Sequence, residues 1–158
     1  MKKINFLNKL VKDKKLELVN TSEEIKESYI KKSFSNLNSA EILLNNNKLE
    51  ESIALTYYSM YHMLTALLYQ IGIKCENHSA SIILMKELFN LDNSDISDAK
   101  EERIDKQYYT GFHIIKEQVI DAIKNAEVFN DRIYDFISKI SEKRINEYRD
   151  KFNKLVGF

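Results

Sequence analysis

A chain of 158 residues with no proline, and with glycine only at positions 72, 111 and 157, has few places to reverse direction tightly. A β-rich fold of this length needs many tight turns, and glycine and proline supply their backbone angles. The chain therefore predicts long helices. Short connections between long helices place them antiparallel. The expected fold class is all-α, an up-and-down antiparallel helical bundle of four main helices plus a short extra helix.

The hydrophobic spacing supports this. Thr21-Ser22-Glu23-Glu24 reads as a capping box. After it, Tyr29, Ile30, Phe34, Leu37, Ala40 and Leu44 recur at three- and four-residue steps, one face of a helix that Asn45-Asn46-Asn47 ends. A second helix is predicted over Leu49 to Ile71, stopped by Gly72. Lys74 to Asn77 read as a loop, Ser79 to Phe89 as a short third helix, and Ala99 to Tyr109 as a fourth before Gly111. Val119, Ala126, Ile133 and Ile140 repeat every seven residues, with Ala122, Phe129 and Phe136 three positions behind, a seam for a long last helix packed inside its own domain. Tyr148 and Phe152 extend the stripe. The expected organisation is a Lys-rich segment over residues 1–20 and one helical domain over 21–158.

Charge narrows the function. Lysine plus arginine equals aspartate plus glutamate, 24 against 24, so the chain as a whole is not a uniformly basic nucleic-acid binder. The local exception is the N-terminal run of Lys2, Lys3, Lys9, Lys12, Lys14 and Lys15, read as a solvated helix or arm. One cysteine suits a reducing compartment, no apolar signal core follows the first lysines, and no apolar run approaches the ~20 residues of a membrane span. The expected localisation is cytoplasmic, with no membrane partner.

The richest segment is Leu49 to Phe89. Tyr57, Tyr58, Tyr61 and His62 interrupt an apolar helical pattern, and a polar turn with Cys75 and His78 follows. Each polar tip taken inside must find a partner or cost roughly 1–3 kcal/mol. The segment either holds a polar network between helices or lines a groove. Cys75 and His78 offer two ligands where a structural zinc takes about four, so no metal is assigned. The chain has no phosphate loop, no GxSxG, no HExxH and no Glu-x-x-His for a di-metal bundle site. Glu23, Glu24, Glu50 and Glu51 are helix-start carboxylates favoured by the helix dipole. No cofactor is expected.

Tyr57-Tyr58-Ser59-Met60-Tyr61-His62, then Ala66-Leu67-Leu68, Gly72 and His78, together with Ser39-Ala40-Glu41 and the stretch Glu102 to Tyr109, resemble the HEPN superfamily (higher eukaryotes and prokaryotes nucleotide-binding) over about residues 20 to 140. The likeness is to the small stand-alone archaeal and bacterial members. It implies an all-α bundle that forms a homodimer. It also implies RNA as a partner, and a toxin–antitoxin pairing with a small nucleotidyltransferase. Many members of the family are metal-independent ribonucleases that use an arginine followed, after four to six residues, by a histidine. Others bind RNA or a partner protein without catalysis.

This chain departs from that signature. After Arg103, the expected histidine positions hold Tyr108, Tyr109 and Thr110, and the next histidine is His113. Tyrosine, with an unperturbed pKa near 10, is a poor base at neutral pH. The resemblance therefore implies first an RNA- or partner-binding module, and second an endoribonuclease with an altered motif. In the second, Arg103 would hold the phosphate while Tyr108 or His113 assists proton transfer. A structural dimer scaffold is the third reading. Tyr58, His62, His78 and Tyr109 are the expected groove residues, each with a packing alternative, and Arg103 has the alternative of a surface ion pair with its acidic neighbours.

Overall fold

The structure is a computed structural model that describes residues 1–108 and 113–157, with only the backbone described for 105–108. Among these residues it is built of seven helices and one two-stranded ribbon: α1 (Lys2–Lys12), β1 (Leu16–Leu18), α2 (Glu23–Asn45), α3 (Leu49–Gln70), β2 (Ile73–Cys75), α4 (His78–Phe89), α5 (Ser94–Tyr108), α6 (Lys116–Ser138) and α7 (Glu142–Val156). The all-α expectation holds. No helix among the described residues is long and apolar enough to cross a membrane.

Helix α3 is the centre. Thirteen of its 22 residues are buried, on every side of the helix. A helix that is apolar all round belongs inside a bundle, and α3 touches α2, α4, α5, α6 and β2. α2 reaches it through a three-residue turn in which Asn47 takes φ 57°, a left-handed angle that asparagine tolerates. α6 packs on both. Phe34 meets Tyr134, while Ala40 shares a cluster with Ile53, Val119 and Ile123, so α6 runs antiparallel to α2. The heptad seam on α6 is thus used within the chain: Val119, Ala126, Phe129 and Ile133 are all buried.

Polar groups register these three helices. Ser33 Oγ donates to the Ser59 carbonyl at 2.8 Å, and Asn130 Nδ2 donates to Ser59 Oγ at 2.7 Å, all three residues fully buried. Nearby, Ser52 Oγ donates to the Ala40 carbonyl at 2.7 Å. Such bonds fix how far one helix slides along the next, because a slip would leave the groups buried and unpaired.

The expected four main helices and one short one undercount. The predicted long last helix is two, because Ser141 caps a new helix, its Oγ accepting from Arg144 N. The predicted loop over Lys74 to Asn77 begins as strand β2, which pairs antiparallel with β1 in the register Leu16 to Cys75, Glu17 to Lys74 and Leu18 to Ile73. A three-residue strand is too short to show alternation in sequence. The Lys-rich segment forms α1 and β1, and Leu7, Leu10 and Leu16 join the main core while the lysines stay exposed.

Gly72 joins α3 to β2 at φ +72°. A Cβ there would strike the Val19 carbonyl oxygen and Arg149 Nη1. Arg149 Nη1 in turn donates to the carbonyls of Val19, Ile71 and Gly72 at 2.9, 2.8 and 3.2 Å, tying α7 to this corner. Gly72→Ala should therefore destabilise by at least about 2 kcal/mol, through both the left-handed backbone and the collision. Gly157→Ala, also left-handed but with open space around it, should cost about 1 kcal/mol or less. Equilibrium urea unfolding of the two variants measures the difference, and equal losses would contradict the proposed role of the corner.

Candidate functional site

Three helices converge on one cluster. α3 presents Tyr57 and Tyr61 one turn apart and Tyr58 beside them. α4 begins at His78, behind Asn77, whose side chain accepts from Ala80 N and so starts the helix there. α5 carries Lys100 and, one turn later, Arg103.

Tyr57 is fully buried, and its hydroxyl lies 2.8 Å from His78 Nδ1. Burial pushes the Tyr57 phenol far up, so it keeps its proton. Burial, then the positive charges of Arg103 and Lys100, hold His78 below the usual imidazole value. Two neutral groups thus share one proton-donating bond, and the phenol can either give or receive it according to the imidazole tautomer. The His78 ring also lies on Tyr61, centroids 3.7 Å apart and planes 19° from parallel.

Arg103 closes the cluster. Its Nη1 donates to Tyr58 Oη at 3.1 Å, and its Cζ sits 5.2 and 5.3 Å from the ring centres of Tyr57 and Tyr58. A guanidinium is weakly hydrated and rests well on aromatic faces. Lys100 Nζ donates to Ser79 Oγ at 2.6 Å, placing a second cation next to His78. A groove of about 330 Å³ runs on from there, lined by Lys3, Ser79, Ile83, Ser97, Lys100 and the carboxylate Glu101 among others. The arrangement offers two cations and a neutral imidazole around an aromatic floor, a set suited to an anion.

Of the residues expected from the sequence, Arg103, Tyr58 and His78 come together here. His62 lies on the flank of α3, near Tyr58 and Tyr29 at 6.4 and 5.7 Å. Burial, then Lys32, lower its pKa. Tyr108 is the last residue of α5, with only its backbone described, and Tyr109 falls outside the described residues. His113 is exposed, two positions ahead of the α6 N-cap Ile115. Cys75 Sγ donates to the Asn77 carbonyl at 3.4 Å. No group of three metal-ligating side chains occurs among the described residues. Lys100 was not anticipated, although its position one turn before Arg103 is a signal that was there to read.

A family model described as the HEPN domain matches residues 26–140. The chain is also similar to the UPF0332 protein PH1297 of Pyrococcus horikoshii, 47% identical over 60 residues, which is 38% of this chain and 42% of that protein. It is similar to the protein named "Putative toxin MJ0605" of Methanocaldococcus jannaschii, 28% identical over 142 residues, 85% of this chain and 97% of that one. The match thus spans less than half the length of the first relative and nearly all of the second.

The lowered pKa of His78 makes stability depend on pH. Near and below the unfolded value of about 6.5, the unfolded chain takes a proton that the folded site resists, so stability falls as pH drops through that range. His62 adds to the same trend. Urea midpoints followed from pH 7.5 to 5 should decline in the wild type and decline less in His78→Gln, which lacks the titrating ring. An identical decline in both would show that His78 is not held neutral.

Proposed function

The chain belongs to the HEPN family, and from that premise we propose that it is an RNA-binding HEPN module whose contact centre is Arg103 with Tyr58 and His78. The observation that carries this is the Arg103 guanidinium resting on two tyrosine rings and donating to Tyr58 Oη, beside a neutral histidine. Guanidinium donors match phosphate oxygens, and half-buried aromatic rings suit unpaired bases. The near full-length similarity to the protein named "Putative toxin MJ0605" supports a toxin-type role. In this reading the chain works as a homodimer with a nucleotidyltransferase protein as its companion. The single half-buried cysteine fits a cytoplasmic setting.

A second reading, a metal-independent endoribonuclease, is favoured by one observation. His78 brings an imidazole next to Arg103, although the sequence after Arg103 holds tyrosine where a histidine is expected. Arg103 would then steady the scissile phosphate, and His78, Tyr108 and His113 are the candidates for moving the proton.

Fluorescence anisotropy with labelled single-stranded RNA tests the first reading. Arg103→Ala should weaken binding by roughly tenfold or more, the worth of a charged hydrogen bond, and equal affinity would overturn it. Incubating RNA with the protein in excess chelator tests the second: cleavage that persists in wild type and disappears in both Arg103→Ala and His78→Gln supports it, and no cleavage by wild type removes it.

A further inference from the structure

From Tyr58 of the Arg103 centre, a row of rings runs on along the flank of α3 and α2. Tyr58 lies against His62, centroids 6.4 Å apart and planes 27° from parallel. His62 lies against Tyr29 at 5.7 Å and 34°. The three are half-buried. A cation stands at each end: Arg103 Cζ at 5.3 Å from the Tyr58 ring centre, and the exposed Lys32 Nζ at 5.1 Å from that of Tyr29.

We propose that this row is a track along which a single strand of RNA leaves the Arg103 centre and runs across α3 to Lys32 on α2. The proposal rests on the RNA-binding reading above and extends it by a path, a direction and a length. A cation at each end of a row of half-buried rings gives a single strand two places to set down phosphates, as the charged grooves of single-strand binders do. Tyr58 Oη accepts from Arg103 Nη1 and so keeps its own proton to donate, and the Tyr29 hydroxyl is a second donor in the row. Those groups donate to phosphate and ribose rather than read bases, which makes the track tolerant of sequence.

The far end is closed by ion pairing. Tyr69 continues the row, its centroid 5.6 Å from Tyr29. Beside it, however, Lys74 is paired with both Glu17 and Glu76, at 3.5 and 2.9 Å. Lys74 is thus already engaged by two carboxylates and offers a phosphate less than Lys32 does. The strand therefore ends its contact at Lys32, and the footprint is a few nucleotides measured from Arg103.

Anisotropy with labelled oligouridylates, one of roughly two nucleotides, too short to reach from Arg103 to Lys32, and one of roughly ten, across a salt series, tests this. Wild type should bind the longer probe more tightly and with a steeper salt dependence. Lys32→Ala, at an exposed position, should lower the slope of log K against log salt by about 0.7 for the long probe, the loss expected for one single-strand phosphate contact. It should leave the short probe unchanged. Tyr29→Phe, which keeps the ring and removes the hydroxyl, should weaken the long probe only. If Lys32→Ala and Tyr29→Phe match wild type on the long probe while Arg103→Ala weakens both probes, the track is wrong and the RNA-binding reading stands. Should Arg103→Ala leave both probes unchanged, that reading falls and the track with it. A Lys32→Ala protein that keeps its RNA affinity but loses self-association or nucleotidyltransferase binding would assign the row to a protein partner and overturn the proposal.

Discussion

Helix α3 has little surface to give to water, and every polar group it carries inward has to be matched there. That constraint organises the molecule. On the side facing α2 and α6, Ser59 is matched by Ser33 and Asn130. Toward the α2 turn, Ser52 is matched by the Ala40 carbonyl. Thr56 and Thr65 return their hydroxyls to carbonyls of their own helix, at Ser52 and Tyr61. The Tyr57 hydroxyl has no such local answer and takes His78, which belongs to the next helix. The rule that sets the packing of the bundle therefore also delivers an imidazole to the place where α5 brings its cations. The matching is not complete: Asn130 Oδ1 in the Ser59 knot and His62 Nδ1 on α3 are among the buried side-chain atoms with no hydrogen-bond partner among the described residues. The Ser59 knot is thus less than fully satisfied, and its worth lies in setting register more than in net stabilisation.

The electrostatics of the cluster follow from that placement. A histidine sharing a bond with a buried phenol, stacked on a second tyrosine and facing Arg103 and Lys100, has every reason to stay neutral. The two cations lower the cost of an arriving anion and raise the cost of protonating the imidazole. An anion that neutralised them would relieve His78 and move its pKa upward. Binding and proton affinity at this site are therefore linked in sign. An RNA phosphate would make the histidine a better base at the moment it arrived.

Much of this was legible in the sequence. The absence of proline and the seam on α6 led to the right fold class, because long helices announce themselves by periodicity over many turns. The cap of α2 was placed one residue early, since Ser22 Oγ and not Thr21 accepts, from Ile25 N, and no capping box forms. Tyr58 and His78 were legible as polar residues within or beside an apolar helical stretch, while Arg103, among charged neighbours, was singled out only by the family resemblance. What one chain could not reveal is which of them meet, because Tyr58 and Arg103 are 45 positions apart and their contact depends on the angle between two helices. The ribbon of β1 and β2 was hidden for another reason: three residues carry no period, and their pairing is long-range. The division of the last helix rested on Ser141, a cap signal that a continuing apolar stripe concealed. Tyr29 read as core because its spacing fits the α2 stripe, yet it also borders His62 and Lys32.

The segments outside the matched residues 26–140 bear directly on the site. β1 comes from before that range, α7 from after it, and both fasten the short run between α3 and α4. Arg149 of α7 binds the carbonyls on either side of the Ile71–Gly72 bend, and β1 pairs with Ile73 to Cys75. Glu76 N then donates to the Lys15 carbonyl at 2.8 Å, and Asn77 caps α4 in the next position. Each residue from 71 to 77 is thus held by a bond or a pairing before the chain arrives at His78. A histidine at the start of a helix reached through a loose loop would sample many positions, and its bond to Tyr57 would carry the full entropy of ordering that loop. Here the ordering is done by the flanking elements, so the imidazole stands against Tyr57 and Tyr61 before any ligand arrives. In the RNA-binding reading proposed above, preorganisation of this kind would lower the ordering cost of taking up a ligand. In this chain it is supplied by the parts that lie outside the matched family core.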